Sequence, residues 1–184
     1  MDAAGVVHFF GHEKIGAGMA DAITGRLKFS NPDAQYLRDL IENHLRPVLL
    51  YQAHQRQSLT RKGIVRLFRF LNDRTPDLLL MALAAACAKT ERACDVDPSF
   101  SGFITDLINT YFQDYLPRKN KAPLITGQDL ITRFGLQPSP MFKTILTAVE
   151  EARLSQTLAS RQDAIALVHA WLASNEKKIF RNHD

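Results

Sequence analysis

The residues of this chain that could do chemistry are, first, its cations. Between Arg61 and Asp73 successive side chains on a helix would step by about 100°. Lys62, Arg66 and Arg69 then fall on one side, and Ile64, Leu67, Phe68 and Leu71 on the other. A second basic group, Arg118, Lys119 and Lys121, lies in the polar, proline-flanked stretch from Pro117 to Pro123. Such arrays suit the phosphate backbone of RNA, which is read through its charge rather than its sequence. A solvated helix face has the same pattern, so the spacing leaves both readings open. The formal net charge of +4 is mildly basic and compatible with nucleic acid without requiring it.

Histidines, cysteines and paired carboxylates offer less. A metal-dependent hydrolase needs several imidazoles and carboxylates around one ion. The only His-Asp dipeptide is His183-Asp184 at the C-terminus, and His8 and His54 stand at no recognisable ligand spacing. Cys87 and Cys94 lie seven apart with no partner pattern, which reads as two buried or idle thiols in a reducing compartment. Asp95-Val96-Asp97, just before Pro98, reads as an interhelix loop supplying an N-cap. There is no Walker motif and no Gly-x-Gly-x-x-Gly, nor any Ser/His/Asp pattern beyond chance.

The elements that must position these residues all read as helices. Asn31-Pro32 places an N-cap before a first-turn proline, with Leu37, Leu40, Ile41 and Leu45 at helical spacing behind it. Thr60 opens the basic helix. Thr75-Pro76 opens the next, carrying Leu78, Leu79, Leu83 and Ala86. Ser139-Pro140 starts a helix striped by Phe142, Ile145, Leu146 and Val149. Ser160 caps the last, with Ala164, Ile165, Val168, Trp171 and Leu172 facing inward. No β-branched run alternates with polar residues between turn signals, so the expected fold is all-α, with about eight or nine helices. The longest apolar run, Leu78 to Ala86, is about half the roughly 20 residues a membrane span requires, and no secretory signal opens the chain. At 184 residues and 46% hydrophobic composition, one full core or two small ones are affordable.

Order along the chain adds a resemblance. Gly11-His12-Glu13, Gly16-Ala17, the join Leu27-Lys28-Phe29-Ser30-Asn31 and His44-Leu45-Arg46-Pro47 follow one another within residues 6–50. The stretch ITGQDLITRFGLQPSPMFKTILTAVEEARL follows near the C-terminus. Together they resemble the C-terminal part, an HD-like helical body and tail, of bacterial tRNA nucleotidyltransferases and their poly(A) polymerase relatives. Residues 1–58 would be the second half of that body, 59–123 its continuation to a basic linker, and 124–184 a three-helix tail.

The resemblance implies a cytoplasmic region that grips tRNA, with no membrane partner and homo-oligomerisation left open; the basic residues picked out by spacing, Lys62, Arg66, Arg69, Arg118, Lys119 and Lys121, are then the expected contacts. Nucleotide addition would belong to a catalytic head using Mg and ATP or CTP. The head's Gly-Ser motif and metal-holding Asp-x-Asp pair have no counterpart here, so no cofactor is expected in this chain and it would not catalyse alone. His12 and His44 match positions near the metal in active HD proteins. The His-Asp pair that would complete the cluster is missing, and packing roles are expected for both. Two rivals remain: an HD-type metal-dependent phosphohydrolase, and a helical interaction or dimerisation module.

Overall fold

The structure is a computed structural model, and it describes residues 11–88 and 96–179, with side chains to 175. His8, Cys94, Asp95, His183 and Asp184 fall outside these residues. The described chain forms ten helices and no strand: α1 (His12–Arg26), α2 (Asn31–Asn43), α3 (Arg46–Gln55), α4 (Arg61–Leu71), α5 (Thr75–Cys87), α6 (Pro98–Asn109), α7 (Leu116–Lys119), α8 (Gly127–Thr132), α9 (Pro140–Leu154) and α10 (Arg161–Ile179). A 3-10 turn joins α4 to α5, and a π-helical stretch, Thr110–Tyr115, extends α6. The all-α expectation holds, and eight of the helices reach ten residues.

Several starts obey their local signals. Thr60 Oγ1 accepts the Gly63 N–H at 3.1 Å, capping α4. Ser160 and Asp163 form a reciprocal box at the start of α10: Ser160 Oγ accepts Asp163 N–H at 3.1 Å, and Asp163 accepts Ser160 N–H at 2.9 Å. Thr126 and Asp129 do the same for α8. Asp97 caps α6, accepting the Ser99 N–H at 2.9 Å and the Tyr51 hydroxyl at 3.0 Å.

One expected cap needs correction. The cap of α2 is Ser30, not Asn31, because the Ser30 hydroxyl is the group that accepts the Asp33 N–H. Thr75 opens α5 as expected, as its first residue. It is fully buried and its hydroxyl donates back to the Asn72 carbonyl at 2.8 Å, so the 3-10 turn feeds directly into the helix.

The described residues group into two compact units. One comprises those of 1–59 and 67–111, the other 60–66 and those of 112–184, so the division runs through α4. In the first unit, Leu40, Leu67, Leu71 and Leu78 form a cluster joined by Tyr36, Leu50 and Met81. Phe68, Leu79 and Ile104 are fully buried in the same unit. Helices α1 and α2 pack closely at Gly16, where a Cβ would stand 3.2 Å from Ile41 Cγ2. In the second unit Ile125, Leu130, Ile145, Val149, Ala164 and Val168 form the core, with Phe142, Leu146, Ile165, Trp171 and Leu172 packed on it. The stripes expected for α9 and α10 therefore do face inward.

Candidate nucleic-acid interface

Lys62 and Arg66 are four residues apart on the first turns of α4, so they project from one face. Both reach one carboxylate from α9. Arg66 donates from Nε to Glu151 Oε1 at 3.0 Å and from Nη2 to Oε2 at 3.4 Å, and Lys62 Nζ stands 3.4 Å from Oε2. The carboxylate lies beneath its cations: Glu151 is 13% exposed, Lys62 54% and Arg66 62%. Burial alone would push the Glu151 carboxyl up, but the hydrogen bonds and charges of Arg66 and Lys62 outweigh it and hold the group below its usual range.

A second carboxylate organises the neighbouring cations. Asp114, in the π-helical stretch, pairs with Arg61 and with Arg118, whose Nη2 is 3.6 Å away. Gln156 Nε2 also donates to Asp114, at 3.2 Å. The backbone of Arg118 is fixed from α9, where the buried Arg153 donates to its carbonyl at 2.8 Å while pairing with Glu150. Four cations (Arg61, Lys62, Arg66, Arg118) face two carboxylates (Asp114, Glu151), leaving two positive charges in excess on one surface of the second unit.

The sequence-derived residues thus divide. Lys62, Arg66 and Arg118 stand in adjoining ion-pair groups, and Lys119 and Lys121 are exposed in and after α7. Arg69 is half-buried, in the portion of α4 that belongs to the first unit. Arg61, Asp114 and Glu151 were not anticipated. Arg61 adjoins Lys62 and could have been read, whereas Glu151 stands 85 residues from Arg66 and carried no signal. Phe70 was also missed, although its helical phase puts it one turn after Arg66, on the flank of α4 between its basic and apolar sides.

The structure brings His12 and His44 together, Nε2 to Nε2 at 3.1 Å. His44 Nδ1 lies 2.7 Å from the Ile41 carbonyl, which can only accept, so that nitrogen carries the proton and Nε2 accepts from His12. Two imidazoles holding α1 to α2 is a packing arrangement. Among the described residues no group of three or more His, Cys, Asp and Glu is placed to hold a metal ion. Cys87 is half-buried near the end of α5. No helix of the described residues is long and apolar enough to cross a membrane.

All-helical in its described residues and with this order of motifs, the chain matches a known class of protein. The model of the family tRNA nucleotidyltransferase domain 2 matches residues 26–168. The chain belongs to that family. It is 27% identical over 168 residues to the A-adding tRNA nucleotidyltransferase of Deinococcus radiodurans, covering 89% of this chain and 35% of that protein. It is 25% identical over 172 residues to the CC-adding tRNA nucleotidyltransferase of Thermus thermophilus, covering 94% and 36%. A shorter segment of 48 residues is 44% identical to the A-adding enzyme of Halalkalibacterium halodurans. The chain spans about a third of the length of the first two relatives.

Proposed function

We propose that this chain is a tRNA-contacting region, which positions RNA for nucleotide addition carried out by a part of the enzyme that its sequence does not contain. Lys62 and Arg66 carry the reading: they remain more than half exposed while a sunken Glu151 fixes their direction. Cations held in place lose less side-chain freedom when a phosphate arrives. Arg61 and Arg118 enlarge the surface, and Lys119, Lys121 and Arg69 are further contacts in this reading. Mg and ATP or CTP belong to the catalytic part, and the setting is the cytoplasm, where tRNA is matured.

Three to five phosphate contacts imply a logarithmic salt slope of roughly −2 to −5, from about 0.9 counterions released per duplex contact. The double variant Lys62→Glu/Arg66→Glu should abolish tRNA binding at low salt in an electrophoretic or anisotropy titration, with the helical circular dichroism kept. Unchanged binding by that variant would reduce the surface to a solvated face.

A second reading, a helical interaction module, draws on one observation. Ile15, Met19 and Ile23 of α1 and Leu27 at its C-terminal cap are exposed at every fourth position, an apolar stripe on a single face. Both roles are compatible in one chain.

A further inference from the structure

The Arg46 guanidinium carbon lies 4.4 Å from the centroid of the Phe70 ring. Phe70 is 57% exposed, at the edge of the α4 face that carries Leu67, Phe68 and Leu71, so the core makes little use of this ring. The cation covers one face, and the exposure means the other is largely open to solvent. Arg46 is anchored at the first residue of α3 by the fully buried Pro47 behind it. Among the described residues no carboxylate pairs with Arg46, whereas Arg38 and Arg74 of the same unit hold Asp21 and Asp39.

An open aromatic face beside a cation that no described carboxylate pairs with suits a flat, electron-rich ligand that carries negative charge. An unpaired nucleobase with its phosphate has both properties: the base stacks on the ring and the guanidinium reaches the phosphate. Bases inside a duplex are stacked on one another and offer no face. We infer that Arg46 and Phe70 form a stacking platform for an unpaired nucleobase of RNA. This deepens the tRNA-contacting reading, on which it rests for the identity of the ligand. The ion-paired surface around Glu151 and Asp114 would hold backbone phosphates, while this pair takes a base.

The test uses the full chain. Because Trp171 is its one tryptophan, the variant Phe70→Trp/Trp171→Phe places the sole indole at position 70. Titration with short single-stranded oligo(A) should quench its fluorescence, the same oligomer bearing abasic sites should quench far less, and a blunt RNA duplex should do little. Without the tryptophan replacements, Phe70→Ala should weaken oligo(A) binding roughly five- to a hundredfold, the range for one lost stack. Phe70→Tyr should restore it, and Arg46→Ala should weaken it too, all with unchanged circular dichroism. Equal binding by Phe70→Ala, or equal quenching by the abasic oligomer, overturns the platform. If tRNA still binds in that case, the broader reading stands without it. If oligo(A) quenches but tRNA does not bind, the platform stands and the tRNA reading falls. Loss of self-association in Phe70→Ala, with oligo(A) binding intact, would assign the ring to a protein contact and overturn the inference.

Discussion

Glu151 is the residue on which the basic surface turns, and its role can be separated from those of its cations. Both partners are more than half exposed, so the ion pairs themselves contribute little to folding, in the range of about 0–1 kcal/mol. Glu151→Gln should therefore shift the urea midpoint only slightly. It also removes the negative charge that offsets Lys62 and Arg66, and tRNA affinity at low salt should rise in an anisotropy titration. A fall in affinity would mean that holding the cations in place matters more than neutralising them. For His12 and His44, two imidazoles leave an ion mostly to water. Zinc added to the chain should be lost on dialysis. A stoichiometric ion that persists and disappears in His12→Ala would contradict this.

At the scale of the helix, the ends carry the testable physics. Helices α1, α3 and α9 each stop with a non-glycine residue in the left-handed region: Lys28 at φ 54°, Gln57 at 54° and Gln156 at 60°. After each, two backbone N–H groups turn back to the helix carbonyls, as Phe29 does to Thr24 at 3.0 Å and Lys28 to Gly25 at 3.2 Å. A side chain in that conformation costs about 1–2 kcal/mol, which glycine avoids at some cost in chain entropy. Lys28→Gly should therefore raise stability by up to about 1 kcal/mol in chemical denaturation.

The N-terminal caps respond to acid instead. Asp163 is held low by hydrogen bonds from the Ser160 side chain and then the Ser160 and Ala159 backbone. Asp129 is held low by the Thr126 side chain and backbone and then by the Arg161 charge. Folded values lie below the usual 3.8, so their stabilisation is present above that value and is lost as pH falls through the folded values. Unfolding followed by Trp171 fluorescence, which reports the unit these caps support, should become easier below about pH 4. Asp163→Asn should flatten that dependence.

For the whole chain, the exposed stripe of α1 and the lack of a Gly-Ser turn ahead of its Asp-x-Asp make separate predictions. Ile15, Met19, Ile23 and Leu27 present an apolar face with polar neighbours, the kind of surface that associates in water. Light scattering should show concentration-dependent self-association of the isolated chain, and Ile23→Asp should reduce it without loss of helix. The chain by itself should also fail to extend a tRNA lacking its 3′ end, with Mg and nucleoside triphosphates supplied, because its one Asp-x-Asp, Asp95-Val96-Asp97, has no Gly-Ser turn ahead of it to place two metal ions over a triphosphate. Metal-dependent extension by the purified chain would refute that directly.

What could be read from the residues alone was local. Thr60, Ser139 and Ser160 mark helix starts because a cap, or a first-turn proline, acts within three residues of itself. The inward stripe of α9 and α10 was legible for the same reason, since helical phase is a property of neighbours. The ends at Lys28, Gln57 and Gln156 were not, because no glycine announces them and the backbone adopts its turn to satisfy the last carbonyls. Asn31 was preferred to Ser30 as a cap because both types suit the position, and only the chain's path decides which hydroxyl or amide meets an N–H. Basic residues could be placed on one side of α4, yet nothing nearby in sequence announced that Glu151 would sit beneath two of them. The meeting of His12 with His44, across 32 residues, depends on the close approach of α1 and α2 at Gly16. Phe70 could have been placed on the flank of α4 by phase, but Arg46 reaches it only through the packing of the first unit. Charge type and helical phase are local quantities; which carboxylate or cation answers a side chain is a long-range one, and folding alone decides it.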